Sequence, residues 1–397
     1  MHKEGDEVIR GDARREERLR LLERFGVARD IAGEVLVYTA NPYTAPIACR
    51  EWPLADEPHV ERWLMYAREA RRVGAFEALR AVFPQLRFPI RANVSEDSAY
   101  RAATRRGDVG GAATYGHGLV LREPERLELT VVSSAGGRIP VLVAGCRDDF
   151  VALVQAFTER NEPRPVPTSM GACLVKGLTN WDRVADYRAR WEREKGTSGD
   201  AEAWATELRA FSARKELYQD RFVLLSSGPY SGVSAEDAGR PEPEWLARSL
   251  VIRREHELTH YVTWRLYGFL RSHATDEIVA DFVGLVRAFG RYPGELARRF
   301  LGLEAYPSFR AGGRLEHYRG DPSLSPPAFA AVALLTNRAT QRLEALPLAR
   351  LGHLDDPTNA GRLIHALVGL SLEELAADDL QERVERRPAS SREAREA

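Results

Sequence analysis

The stretch from Pro243 to Gly268 constrains this chain more than any other. Within it Trp245, Leu246, Leu250, Val251, Leu258, Tyr261, Val262 and Leu266 recur at three- and four-residue intervals. That period predicts a helix with an apolar stripe, and Gly268 is its natural stop. The same stretch carries the string His256-Glu257-Leu258-Thr259-His260. On a helix, positions 256 and 260 lie one above the other, so both imidazoles can converge on one ion. Glu257 is rotated by one residue and stands beside that ion, where a general base for a metal-activated water belongs. A single buried histidine is commonly a hydrogen-bonded core residue. It is the pair, with a carboxylate directly after its first member, that points to a metal.

A second element lies downstream, Thr275-Asp276-Glu277-Ile278-Val279-Ala280-Asp281-Phe282-Val283-Gly284. Thr275 is a good N-cap, and acidic residues suit the positive end of the helix dipole. Glu277 and Asp281 are also one turn apart. One carboxylate can therefore ligate while the other orients a ligating imidazole. Two histidines and one glutamate leave a tetrahedral position open for water, the catalytic rather than the structural arrangement of zinc ligands.

At these residues the chain resembles the gluzincin branch of zinc metallopeptidases, in which HExxH is followed by an acidic Glu-x-x-x-Asp motif on a second helix. By matching position, the resemblance implies His256, His260 and Glu277 as zinc ligands, Glu257 as the base and Asp281 as the partner that orients a ligand. It covers the stretch from Pro243 to Gly284, which is also similar to segments of bacterial proteins with no assigned activity. Arg253, Arg254 and Glu255 stand before His256 where those peptidases usually carry an apolar run.

The spacing sets a geometric condition. A helix continuing to Arg271 would carry the chain roughly 16 Å past His260 at 1.5 Å per residue, leaving Glu277 short of the ion after a tight return. The first helix should therefore end near Gly268, with Phe269 to Ala274 running back; six or seven extended residues span roughly 20 Å. If the helix runs on, His273 and Asp276 become the alternative ligands.

Composition bounds the rest. With 397 residues, 44% hydrophobic and 29% charged, the chain can bury a large core in two domains or subdomains. A formal net charge of -1 offers no general attraction to nucleic acid or anionic lipid. No apolar run has the length of a membrane span, and Met1 to Arg10 is polar and charged. Cys49, Cys146 and Cys173 are far apart and read as small buried residues in a reducing compartment. The expectation is a cytoplasmic protein with a peptide or peptide-like small substrate, and neither nucleic acid nor membrane as partner.

The predicted fold class is α+β: an N-terminal mixed α/β subdomain followed by a mainly helical, zincin-like one. Residues 1–33 read as a charged helical segment and 34–165 as the mixed subdomain. Residues 166–382 form the metal-site subdomain, and 383–397 a disordered charged tail. Strands are expected at Glu34–Ala40 and Arg87–Val94, and helices within His59–Phe83 and at Asp148–Glu159. A hairpin is expected from Leu127–Ser133 and Ile139–Ala144, and the glycine-rich 105–117 reads as a flexible loop without the order of a nucleotide site. Pro163–Pro167 marks the boundary. Asn180 caps a helix running through Trp181, Val184, Tyr187 and Trp191. Met170 and Cys173 read as core, with a pocket lining as the alternative. Phe222–Ser226 stands at about the offset at which gluzincins place a substrate-binding edge strand; it is either such an edge, able to hold a peptide by main-chain hydrogen bonds, or an ordinary strand and turn.

The implied chemistry is amide hydrolysis with Zn2+. Tyr318 and His317 are the first candidates for stabilising the oxyanion, with Tyr306 and Tyr230 behind them. Two alternatives stay open. The same two-His-one-Glu set can hold iron for other chemistry, for which Glu257 has no evident use, or the site can be inactive in a zincin-like binding protein.

Overall fold

The computed structural model describes residues 14–43, 51–116, 118–196 and 200–386. Contacts divide these residues into two units, one built from residues up to Leu54 and from Pro229 onward, the other from Ala55 to Gly228. The protein combines many helices with a small mixed sheet, as the α+β expectation has it.

The first unit opens with helix α1 over 14–24 and α2 over Arg29–Tyr38. The expected strand at Glu34–Ala40 is thus a helix up to Tyr38. Its β-branched run is overruled by packing: Ala32, Val35 and Leu36 are buried on one helical face, while Val37 is 79% exposed. Glu34, on α2, accepts both the backbone N–H (2.6 Å) and the hydroxyl (2.6 Å) of Ser325.

The second unit contains α3 (Val60–Val73), α4 (Ala75–Val82), α5 (Ser98–Arg106), β1 (Glu128–Val132), β2 (Ile139–Ala144), α6 (Arg147–Thr158), β3 (Ala172–Thr179), α7 (Trp181–Lys195), α8 (Ala201–Ser212) and β4 (Gln219–Ser226). Among the described residues the sheet order is β1-β2-β4-β3, with β2 and β4 parallel and the outer pairs antiparallel. Its core joins Trp63 of α3 to Phe222 (5.0 Å between ring centres) and Phe157 of α6 to the same ring (5.1 Å). The hairpin, the helices within His59–Phe83, the helix after Asp148 and the Asn180 cap follow the sequence reading. Cys173 and Met170 pack against this core.

Four expectations change here. Arg87–Val94 is not a strand. Pro89 has no N–H to give a ladder, and Asn161 takes the carbonyls of Gln85 and Phe88 (2.9 Å each) with its side chain instead. The glycine-rich segment contains a 3-10 helix over Gly110–Tyr115, in which a methyl on Gly111 would meet Ala99 Cβ at 2.7 Å; His117 lies outside the described residues. The prolines at 163–167 do not divide the chain, because β3 and β4 beyond them complete the sheet begun by β1 and β2. β4 is paired on both sides, so the Phe222–Ser226 edge reading is overturned: its main chain has no free edge for a peptide.

The first unit then resumes with α9 (Glu242–Tyr267), α10 (Ala274–Phe289), α11 (Gly294–Leu301), α12 (Pro326–Glu344), α13 (Leu348–Leu351), α14 (Pro357–Val368), α15 (Leu372–Leu375) and α16 (Leu380–Arg386). Residues 383–386 of the expected disordered tail belong to α16; residues 1–13 of the N-terminal segment and 387–397 of the tail lie outside the described residues, as does Cys49. No helix among the described residues is long and apolar enough to cross a membrane.

Helices α9 and α10 pack antiparallel, and one glycine sets how closely. A methyl on Gly284 would stand 2.7 Å from the Ile252 carbonyl oxygen and 3.1 Å from Ile252 Cγ2. From that contact the rungs follow at helical intervals: Gly284 faces Ile252, Asp281 faces His256, and Glu277 reaches both His256 and His260. Gly284→Ala should force the helices apart and cost about 1–3 kcal/mol of stability. Urea unfolding checks this; a change below about 0.5 kcal/mol contradicts so tight a contact.

Candidate metal centre

Helix α9 begins with Pro243 in its first turn beside acidic Glu242 and Glu244, and ends at Gly268, which adopts the left-handed conformation (φ 80°) and closes on the Trp264 carbonyl at 2.7 Å. The stop that the spacing demanded is therefore present. Residues 268–273 return, and α10 starts at Ala274. Its cap is His273 rather than Thr275: the imidazole Nδ1 accepts the Thr275 N–H (3.2 Å), while Nε2 donates to the Tyr38 carbonyl (2.9 Å). Burial, with Arg271 nearby, lowers the His273 pKa to about 3, so the ring is neutral and both nitrogens are engaged.

His256, His260 and Glu277 come together. His256 Nε2 lies 3.1 Å from His260 Nε2 and 3.4 Å from Glu277 Oε2, and His260 Nε2 lies 3.4 Å from Glu277 Oε1. Four ligands at zinc bond lengths of about 2.0–2.1 Å in a tetrahedron stand about 3.3 Å apart; the two nitrogens are near that spacing, and each has a different oxygen of the Glu277 carboxylate at a similar distance. Among the described residues this is the group of three or more such side chains able to hold a metal. All three are nearly buried, with side-chain exposures of 8, 13 and 13% in that order.

Asp281 stands behind His256, its Oδ1 3.0 Å from Nδ1. The Tyr230 hydroxyl donates to the same oxygen at 2.6 Å, and Arg314 pairs with Oδ2 and donates to the Tyr230 hydroxyl at 3.1 Å. Tyr230 is held against α9 by its own N–H to Ser249 Oγ (3.0 Å), and the same turn is fixed by Trp245 Nε1 to the Val233 carbonyl (2.8 Å). The arginine at 253, unlike an apolar residue there, also serves this turn. It donates to the Pro229 carbonyl at 2.9 Å and lies over the Tyr230 ring. Arg254 and Glu255 pair with each other, and Glu255 also pairs with Arg287.

The electrostatics follow from this crowding. Burial favours neutral His256, but Asp281 and Glu277 outweigh it and raise the pKa to about 10. Burial likewise opposes the charge on Glu277, yet the two imidazoles hold it well below the usual carboxylate range. Asp281 is lowered too, with Arg314 and His256 overcoming burial. Burial and the neighbouring Asp281 push the Tyr230 hydroxyl well up; burial and Glu277 do the same to Tyr318. A divalent cation must displace the proton that these carboxylates hold on His256, so binding is coupled to proton release.

The remaining candidates separate. Tyr318 is buried and partners Glu277. His317 is exposed, its ring 6.5 Å from that of Tyr318 and on the outside of the same turn. Tyr306 is half-buried in the turn at Pro307. Asp276, the alternative ligand, is taken by Arg271 (2.9–3.1 Å) and by the Tyr43 hydroxyl (3.3 Å). Glu257 is half-buried, with no hydrogen bond or ion pair among the described residues. Arg314 has no motif around it, and nothing in the sequence singled it out.

The arrangement is a centre of two histidines and one glutamate on a helix pair, with an aspartate behind the first histidine. The chain belongs to a family of unknown function, DUF7005, which matches residues 20–379. No curated protein and no solved structure matches it.

Zinc added to the metal-free protein is expected to bind stoichiometrically and to raise its melting temperature. Asp281→Asn should weaken zinc about 10–100-fold. Competition with a chromophoric chelator measures this, and wild-type affinity in the variant would remove Asp281 from the role of orienting His256.

Proposed function

We propose that the protein is a zinc-dependent hydrolase of the gluzincin kind, cleaving an amide bond in a peptide or peptide-like substrate, and that the unit carrying α9 and α10 is a zincin-like domain. The observation that carries this reading is the cluster of His256 Nε2 and His260 Nε2, 3.1 Å apart, with the two oxygens of the Glu277 carboxylate each 3.4 Å from one of them. Two imidazole nitrogens and a carboxylate brought that close need a cation or shared protons between them. A zinc ion held by three protein ligands supplies an open position and a Lewis acid, the chemistry of an activated water and a polarised carbonyl.

The chain's own groups divide the rest of the work. Glu257 follows His256 directly, about 100° around the helix, and is free to take a proton from water and pass it to the leaving nitrogen. Asp281 keeps the His256 ring in orientation. Tyr318, facing Glu277, is better suited to fixing that carboxylate than to meeting an oxyanion. The family resemblance extends to the helix pair and not to the peptide-binding strand, since β4 has no open edge.

Glu257→Gln is the informative variant. It should retain stoichiometric zinc and slow release of new amino groups from a mixture of short peptides by about 10²–10⁴-fold, the usual contribution of a general base. A zinc-loaded wild type that cleaves no faster than Glu257→Gln would favour a binding protein over an enzyme. Tight binding of ferrous iron in preference to zinc would favour the other chemistry of the same ligands.

A further inference from the structure

The 3-10 turn Arg314–Tyr318 touches both acidic residues of α10 that matter to the centre. Its first residue, Arg314, pairs with Asp281; its last, Tyr318, faces Glu277. The turn is itself tied down, because the Tyr318 carbonyl accepts the Tyr38 hydroxyl at 2.7 Å. Two residues one turn apart on α10 are thus met by two residues at the same interval on a separate segment.

Hydrogen-bond directions carry the consequence. A guanidinium only donates. Arg314 Nη1 gives a hydrogen bond to the Tyr230 oxygen at 3.1 Å, so the phenol proton points away from Arg314 and toward Asp281 Oδ1 at 2.6 Å. The phenol has one proton and has spent it. His256 Nδ1, 2.9 Å from the phenol oxygen and 3.0 Å from Asp281 Oδ1, must then be the donor. With Nδ1 carrying hydrogen, Nε2 is the nitrogen whose lone pair can face His260 and Glu277. Arg314 also supplies the positive charge that lets Asp281, 1% exposed, remain a carboxylate.

We infer that Arg314 is the positioning residue of the metal centre: through Tyr230 and Asp281 it fixes which nitrogen of His256 is presented to the ion. The inference rests on the metal-site reading above. It adds a residue far from both motifs in sequence, and it makes the ligand geometry depend on a turn outside the two helices.

The test uses the full chain, stripped of metal and titrated with zinc against a competing chelator. In parallel, Co2+ serves as a spectroscopic probe whose visible absorption reports tetrahedral coordination. Arg314→Gln should bind zinc about 10–100-fold more weakly than wild type and give a weaker cobalt band. Arg314→Lys, which keeps the charge but loses the fork, should recover part of both. Tyr230→Phe keeps the ion pair and removes only the relay, so it carries the test if Arg314→Gln does not fold; it too should lose affinity. A merely structural Arg314 would lower the melting temperature of the metal-free protein and leave affinity and cobalt spectrum alone. That result, or wild-type affinity in Tyr230→Phe, overturns the inference while leaving the metal site standing. Failure of the wild type to bind either ion overturns both.

Discussion

Asp281 is a carboxylate with almost no access to water, and the centre is organised around satisfying it. A buried charge is tolerated only when its lone pairs are met and its field is answered by opposite charge. Here one oxygen takes the Tyr230 hydroxyl and His256 Nδ1, and the other takes Arg314. Each of those three partners comes from a different part of the chain: a turn ahead of α9, α9 itself, and a turn after α11. Asp281 therefore fixes the mutual position of three segments as well as the orientation of one imidazole. Removing Arg314 would leave that charge without its cation, whereas removing the Tyr230 hydroxyl would leave one lone pair unmet.

The helix pair supplies the remaining precision. Sites built on helices hold their ligands more closely than sites on loops, provided the helices cannot slide. Sliding is blocked by the contact of Gly284 with Ile252, by Gly268 ending α9, and by His273 capping α10 while its other nitrogen holds the Tyr38 carbonyl. Glycine at 284 is required by a close approach of backbones, not by its conformational freedom, since that residue is helical.

The candidate centre was legible in sequence because its ligands obey a local rule. His256 with His260, and Glu277 with Asp281, are each one helical turn apart, and the length between the pairs allowed one return and no more. What lay outside that rule was not legible. Arg314 reaches α10 across a separation no periodicity reports, and of the neighbouring candidates Tyr318 and His317 no motif says that the first faces Glu277 and the second points outward. The helix Arg29–Tyr38 contains a run of strand-forming residues whose fate was settled by what its face packs against. Phe222–Ser226 is a strand as its composition suggests, but whether it lies at an edge depends on β2 and β3, which its own sequence cannot state. His273 looked like a spare ligand and is a helix cap.

The proposed ion lies between His256, His260 and Glu277. Crystals of the protein grown with zinc and measured at the zinc absorption edge test it most directly. An anomalous peak is expected about 2.0–2.2 Å from both Nε2 atoms and from a Glu277 oxygen, with Asp281 on the far side of His256. Absence of a peak there under saturating zinc, with His256 and Glu277 closed into a plain ion pair, would contradict it.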